Sequence, residues 1–531
     1  MTGDQLHAFS RSESLPPFCG LRPQSSWVAE FIVLAAVLVC FAAMATCFSA
    51  HGAQHADALM DAETPICILK GAGWTSFAHS QVTPGLPLAH ITPAYIITLA
   101  AWLYVWGISS ASVMSLNCVL IACSSMLLWG FLHRSALVSS RRLRLAMSLL
   151  FPMLPGVSAV YQVNRYDSFG LLGLAVASFS LTIKGASSRR FILVVAGLLV
   201  GCGGGAHGVI GAAVLACLAL VFFGRRAIVE WFVFGFAIAL GIGFVVACMV
   251  ATGTVHTFVT ALEDNAVFAN RSLAWRLLAP IRGGQESGFF DGYLLSVAVA
   301  ALSVTMTAGS SWLGRMRTAG MFAAINAIVT PLLLASLGRY SNKYEWLVVG
   351  PTLVSASIAI DREIRSRWRS ATVAVIATLC AVSGFPSQAF YMAVEWQARD
   401  RLPVEMVIAR HIRPGDVVYS TASGYYPAKL LAQKAYLISA FKSMTDDQRR
   451  AVTLAVIDGR ENGRAMFEPT PEEAFASFGG RWREVERITV ARGELRQRLL
   501  PHPASSCTFN VGIYRRVDSR VGRSASTTRD R

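Results

Sequence analysis

Long apolar runs separated by short polar, basic turns set the pattern of this chain. The first run, Trp27 to Phe48, follows a polar segment at 1–27 that carries Arg11 and Arg22. Further runs fall at 111–132, 145–161, 168–183, 191–204, 207–223, 228–251, 290–308, 320–337, 344–360 and 371–392. Most are near the length that crosses a bilayer as a helix. The run Phe191 to Phe223 is too long for one ordinary span and is broken by GCGGGAHG, so it predicts two spans joined by a tight turn.

Ile91 to Gly107 is also apolar but short, with Pro93 near its start, which suits a helix lying at the membrane surface. Leaving it out of the count puts every basic cluster on one face: Arg134 with Arg141, Arg142 and Arg144; Lys184 with Arg189 and Arg190; Arg225 with Arg226; Arg315 with Arg317; and Arg362 with Arg365, Arg367 and Arg369. The expectation is a polytopic α-helical membrane protein of about eleven transmembrane helices, N-terminus inside and C-terminus outside. The end of the first run, ATCFSA, loosely resembles a signal-peptidase site, but the polar region before it is long for a signal peptide, and an uncleaved anchor is expected.

After 392 the pattern changes. Charged residues become frequent and short apolar stretches alternate with helical ones. DVVYST (416–421), AYLISA (435–440), TLAVID (453–458) and TFNVGIYRR (508–516) predict strands, with helices near 444–452 and 471–477. The chain therefore divides into a tail at 1–27, a transmembrane domain at 28–392 whose first outer loop is 49–110, a C-terminal α/β extracytoplasmic domain at 393–516, and a disordered tail at 517–531 rich in Ser, Thr and Arg.

Composition sharpens this. With 54% hydrophobic and 15% charged residues the chain is too apolar for an ordinary soluble fold. The net charge of +16 sits in the turns rather than on a basic domain, which argues against nucleic acid as a partner. Of the 11 cysteines, most lie inside apolar runs and none has metal-ligand spacing. Cys67 and Cys507 fall outside and are candidates for a disulfide.

Candidate chemistry concentrates in the first outer loop, where Asp57, Asp61 and Glu63 stand within seven residues. Carboxylates so close raise one another's pKa, which fits proton transfer; the plainer alternative is a solvated helix start. Asp57 and Asp61 share a helix face by spacing. Arg165 and Asp167 sit in the turn after the third run, as a site or as an interfacial ion pair. Arg339 and Lys343 lie in an outer turn beside Tyr344, against the positive-inside trend. His90 and His207 are lone histidines at membrane boundaries, where a structural role is the commoner one.

Together, DALMDAETPICILKGAGW followed by PLAHITPAYIITLAAWLYVWG, NRYD at 164–167 and GRYSNKYEWLVVGP at 338–351 resemble the GT-C glycosyltransferases. These integral membrane enzymes take a sugar from a polyprenyl-phosphate carrier and include the protein O-mannosyltransferase and aminoarabinose transferase branches. The resemblance implies a bacterial inner-membrane enzyme with a periplasmic C-terminal domain. Its partners would be a polyprenyl-phosphate sugar donor, membrane lipids, and a glycan, lipid or protein acceptor. No cofactor is implied with certainty, and a divalent metal stays open. A carboxylate near the acceptor takes its proton while cations bear the charge on the leaving phosphate. Asp57, Asp61, Glu63 and Asp167 are the catalytic candidates, with Asp57 favoured by its distance from Gly73 and Trp74. Arg165, His90, Arg339, Lys343 and Tyr344 are the substrate-binding ones. A transporter or flippase is disfavoured because the spans carry almost no mid-span charge apart from Glu230 near a boundary. A non-enzymatic scaffold for the C-terminal domain is the remaining alternative.

Overall fold

A computed structural model describes residues 26–52, 56–79, 82–87, 92–224, 226–264, 272–274, 319–336, 344–363, 366–459, 469–491 and 507–517. The expected span at 290–308 lies outside them. Most helices fall in the expected apolar runs, whereas α2 and α11 lie in expected loops and the runs at 145–161 and 371–392 are each split in two: α1 Ser26–His51, α2 Ala56–Leu69, α3 Pro93–Trp106, α4 Ser110–Arg134, α5 Arg141–Leu150, α6 Pro155–Gln162, α7 Asp167–Ser180, α8 Ala186–Gly203, α9 Gly205–Phe223, α10 Arg226–Ala251, α11 Val255–Asp264, α12 Ala319–Ser336, α13 Trp346–Glu363, α14 Ser366–Ser383 and α15 Phe385–Val394.

Among the described residues four helices are long and apolar enough to cross a membrane, and six if α5–α6 and α14–α15 each count as one bent span. The first of these pairs bends by 48° where Pro155 opens α6, since a proline cannot continue the preceding hydrogen-bond ladder. α7, α9 and α13 are shorter apolar helices: α7 packs on α4 and α8, α9 on α7, α8 and α10, and α13 mainly on α12. Exposed aromatic side chains such as Phe232, Phe236 and Phe244 on α10 make an apolar outer surface, as a bilayer solvent allows.

Ion pairs tie one end of the bundle together. Glu30, at the start of α1, faces Arg141 and Arg144 at the start of α5, at 3.5 and 3.8 Å. Glu230 near the start of α10 meets Arg189 of α8 at 2.7 Å. At the opposite end, the Ser110 hydroxyl donates to Ala50 O, and Asn164 reaches Ala58 O.

α3 is packed along one side only. Tyr95, Ile96, Leu99 and Leu103 are buried on one side, against α2, α4 and α8, whereas Ile97, Tyr104, Val105 and Trp106 are exposed. A 14-residue helix spans about 21 Å, less than the hydrocarbon thickness of about 30 Å.

The C-terminal domain carries α16 Leu402–His411, β1 Val417–Ser420, α17 Tyr425–Leu431, β2 Lys434–Leu437, α18 Asp446–Ala451, β3 Leu454–Asp458, α19 Pro471–Phe478, β4 Trp482–Ala491 and β5 Cys507–Arg516. The sheet order is β2-β1-β3-β5-β4, with β2, β1 and β3 parallel and β5 and β4 antiparallel. Both faces of the sheet are covered, which is why β1 and β3 read as continuous apolar runs. Val418, Val456 and Val511 pack with α16 on one face. Tyr419, Ala455 and Ile457 turn to the other, where their apolar cluster is continuous with Leu59, Ala62 and Ile66 of α2 and with Tyr95 and Leu99 of α3. The first loop and the C-terminal domain thus share one core, to which a buried Leu or Ile contributes about 1.5–3 kcal/mol.

Two expectations change here. AYLISA is a strand only to Leu437; Ile438–Ser443 winds into a 3-10 helix whose Ser439 and Ser443 hydroxyls donate to Ala78 O and His79 O of the first loop. β4 was not expected. It is an edge strand, mostly exposed, so its sequence WREVERITVA is polar at most positions.

Candidate active site

The turn between α6 and α7 builds the site. Asn164 has φ 51, in the left-handed region that Asn tolerates better than most residues. Its Nδ2 donates to Ala58 O of α2 at 3.2 Å, while its Oδ1 accepts from Tyr95 Oη of α3 at 3.0 Å and from Asn117 Nδ2 of α4 at 3.1 Å. Asn117 Nδ2 also donates to Arg165 O, and Ser168 Oγ donates to Asn117 Oδ1. Four elements therefore fix this turn before any charged group is considered.

Arg165 and Asp167 follow directly. Arg165 Nε donates to Asp167 Oδ2 at 2.6 Å, and the guanidinium lies over the rings of Tyr344 and Tyr166, 5.0 and 5.5 Å from their centroids. Asp167 is the first residue of α7, where the helix dipole favours a carboxylate. Its second oxygen, Oδ1, faces His207 Nδ1 at 3.5 Å, and the His207 ring stacks on Tyr344 at 3.7 Å and 20°.

Two glycines make this approach possible. Gly205 has φ +60, and a Cβ there would come within 2.7 Å of the Tyr166 ring. A Cβ on Gly156 would meet Trp346 N at 2.3 Å, so the segment bearing Tyr344 can lie against α6 only because position 156 has no side chain.

Asp61 completes the cluster from α2. It is half-buried, and its charge reaches Arg165, Tyr166 and Tyr95. Burial raises the Tyr95 and Tyr166 hydroxyls, and the Asp61 carboxylate raises both further. For Arg165, burial works against the charge, but Asp167, the tyrosines and Asp61 outweigh it and hold the guanidinium firmly protonated. The arrangement is a buried fixed cation, one carboxylate oxygen directed at a histidine, and a second carboxylate on a neighbouring helix. Such a set can hold an anion and accept a proton.

Of the residues singled out from sequence, the structure brings Arg165, Asp167 and Tyr344 into contact, and Asp61 lies near enough for its charge to act on Arg165. Asp57 lies one turn before Asp61 on α2, and its side chain is outside the described residues, as are His90, Arg339 and Lys343. Glu63 points elsewhere: Lys429 Nζ and Tyr425 Oη of α17, Phe77 N and the Cys67 thiol all donate to its carboxylate. Cys67 is a free thiol rather than half of the expected disulfide; burial and the charge of Glu63 push it up to about 12. The side chain of Cys507 is outside the described residues.

His207 was expected to be structural yet sits against Asp167. Tyr95, Asn117 and Asn164 were not singled out, although an Asn inside an apolar run, as at 117, is a signal. Among the described residues no three His, Cys, Asp or Glu side chains gather to hold a metal ion.

No family model matches the sequence, and no curated protein does. Solved structures do. The crystal structure of ArnT from Cupriavidus metallidurans bound to undecaprenyl phosphate superposes with TM-score 0.53 at 13% identity, covering 94% of this chain and 99% of that one. The same protein in its apo state gives TM-score 0.52 at 13% identity, over 92% and 98%. Arabinofuranosyltransferase AftD from Mycobacteria aligns at TM-score 0.45 and 14% identity, over 93% of this chain and 40% of that one. Over nearly its whole length, the protein shares the fold of these ArnT structures.

Proposed function

We propose that this protein is a membrane glycosyltransferase that moves a sugar from a polyprenyl-phosphate carrier to an extracytoplasmic glycan, lipid or protein. The observation that carries the reading is the buried Arg165, held by Asp167 and flanked by Tyr344, beside a half-buried Asp61 on the first-loop helix. It occurs in the fold of a protein whose structure contains undecaprenyl phosphate.

In this reading Arg165 bears the charge that develops on the carrier phosphate as its bond to the anomeric carbon breaks. Tyr344 and His207 line the same position. Asp61 takes the proton from the acceptor hydroxyl or amine as that group bonds to the anomeric carbon, with Asp57 on the same helix face as the other candidate base. Asp167 keeps Arg165 in place. Arg339, Lys343 and His90 are further candidate donor contacts. The eleven-span topology, with the site and C-terminal domain outside a bacterial inner membrane, belongs to the same proposal and is supported by the basic clusters.

The test is to incubate the purified protein with a panel of polyprenyl-phosphate sugars and follow donor consumption. Consumption of one donor, abolished in Arg165→Ala and in either Asp61→Asn or Asp57→Asn, is the expected result. No consumption across the panel, or full activity in both acid variants, would sink the reading.

A further inference from the structure

The helix that carries Asp61 is gripped on its other side by the C-terminal domain. Glu63 is fully buried, and both its oxygens are engaged: Oε1 by Lys429 Nζ, Phe77 N at 3.0 Å and Cys67 Sγ at 3.5 Å, and Oε2 by Tyr425 Oη. The Lys429 side chain is 7% exposed and lies over the Phe77 ring, 4.8 Å from its centroid. Lys70, one residue beyond α2, donates its ammonium to Lys429 O. Around this pair the two segments are sewn together: Leu437 N donates to Phe77 O at 3.1 Å, and Gln448 Nε2 to Pro84 O at 2.8 Å.

Residues two apart on a helix point roughly 200° away from each other. Glu63 faces into the C-terminal domain, so by helix geometry Asp61 faces away from it, on the side from which its charge acts on Arg165. A charge buried in apolar surroundings tolerates little displacement from its partner. The rotation of α2 is thus set by where α17 puts its ammonium.

We infer that Lys429 and Tyr425 are positioning residues: acting through Glu63, they fix the rotation of α2 and with it the place of Asp61 in the site. The consequence for turnover rests on the proposed reaction, whereas the mechanical consequence does not. Neither residue touches the reacting groups; the C-terminal domain contributes to catalysis by holding a helix of the membrane domain.

The experiment uses the full-length detergent-purified protein and the variant Lys429→Met, with two readouts. Amide hydrogen exchange across residues 56–69 should quicken about tenfold or more, since an unpaired buried Glu63 favours local opening. Turnover should fall by about ten- to a hundredfold, the scale of a misplacement near 1 Å, while the KM for the donor stays within about threefold because Arg165 is untouched. Glu63→Gln combined with Lys429→Met leaves no lone buried charge and should regain exchange protection and much of the turnover. If Lys429→Met does not fold, Tyr425→Phe carries both readouts.

Unchanged exchange overturns the inference whatever the activity. So does faster exchange with wild-type turnover, a donor KM that rises as far as turnover falls, or a double variant as impaired as the single one. Should the wild-type protein consume no donor, the proposed reaction fails, and the exchange measurements still decide whether α17 holds α2.

Discussion

Two buried clusters sit back to back on α2, and they are finished to different degrees. Around Glu63 each oxygen receives donors at hydrogen-bonding distance, and the nearby thiol, ammonium and phenol all have partners. Around Arg165 the ion pair to Asp167 Oδ2 is tight at 2.6 Å, and two other approaches are longer. Asp167 Oδ1 accepts no hydrogen bond among the described residues and looks at His207 Nδ1 from 3.5 Å, and Arg165 Nη2 is 3.5 Å from Tyr344 Oη. Buried polar groups left short of partners have a cost that a purely structural cluster avoids. The Glu63 carboxylate, hydrogen-bonded through both oxygens, therefore marks the joint, and Asp167 Oδ1 marks the side of the other cluster where a further group is expected.

The largest effect is expected at the joint. Glu63→Ala leaves Lys429 buried without its carboxylate and should destabilise the protein by about 3–5 kcal/mol, read from thermal unfolding in detergent. Asp61→Asn should do the reverse, lowering turnover by about a hundredfold or more while the unfolding midpoint stays within a few degrees of wild type. If the two variants exchange these phenotypes, the assignment of joint and site is inverted. Arg165→Ala should raise the donor dissociation constant about ten- to a hundredfold, the loss of a charged hydrogen bond, measurable with a fluorescent polyprenyl phosphate. The smallest effect is expected from Tyr344→Phe, which removes one long hydroxyl contact but keeps the ring under His207 and Arg165. A change in donor KM of a few-fold is predicted, and a loss as large as that in Arg165→Ala would mean that the hydroxyl itself meets the substrate.

Much of the architecture was legible because long apolar runs and short continuous apolar strands between polar stretches are strong patterns. The helices near 444–452 and 471–477 carry capping boxes, Thr445 with Gln448 and Thr470 with Glu473, that mark their starts directly. β4 escaped because an edge strand needs no buried alternation. Half of the site was legible too: NRYD drew attention as two charges beside a span. Which acids of the first loop belong to the site was not, since Asp61 and Glu63 are equally acidic in sequence and only the position of Lys429, 366 residues beyond Glu63, separates them. His207 was undervalued because a histidine's role depends on what it faces, and Asp167 approaches it across a turn held open by Gly205.

Gly205 also bears on how this sequence can change over time. With φ +60 and the Tyr166 ring 2.7 Å from where a methyl would stand, the position has in effect one permitted state out of twenty. The polar residues it brings together have more freedom: an amide or a second hydroxyl can take over a contact at 3.5 Å. In a lineage drifting from this chain, the glycine should outlast His207, and a family profile weighted toward reactive side chains would overlook the residue that changes least.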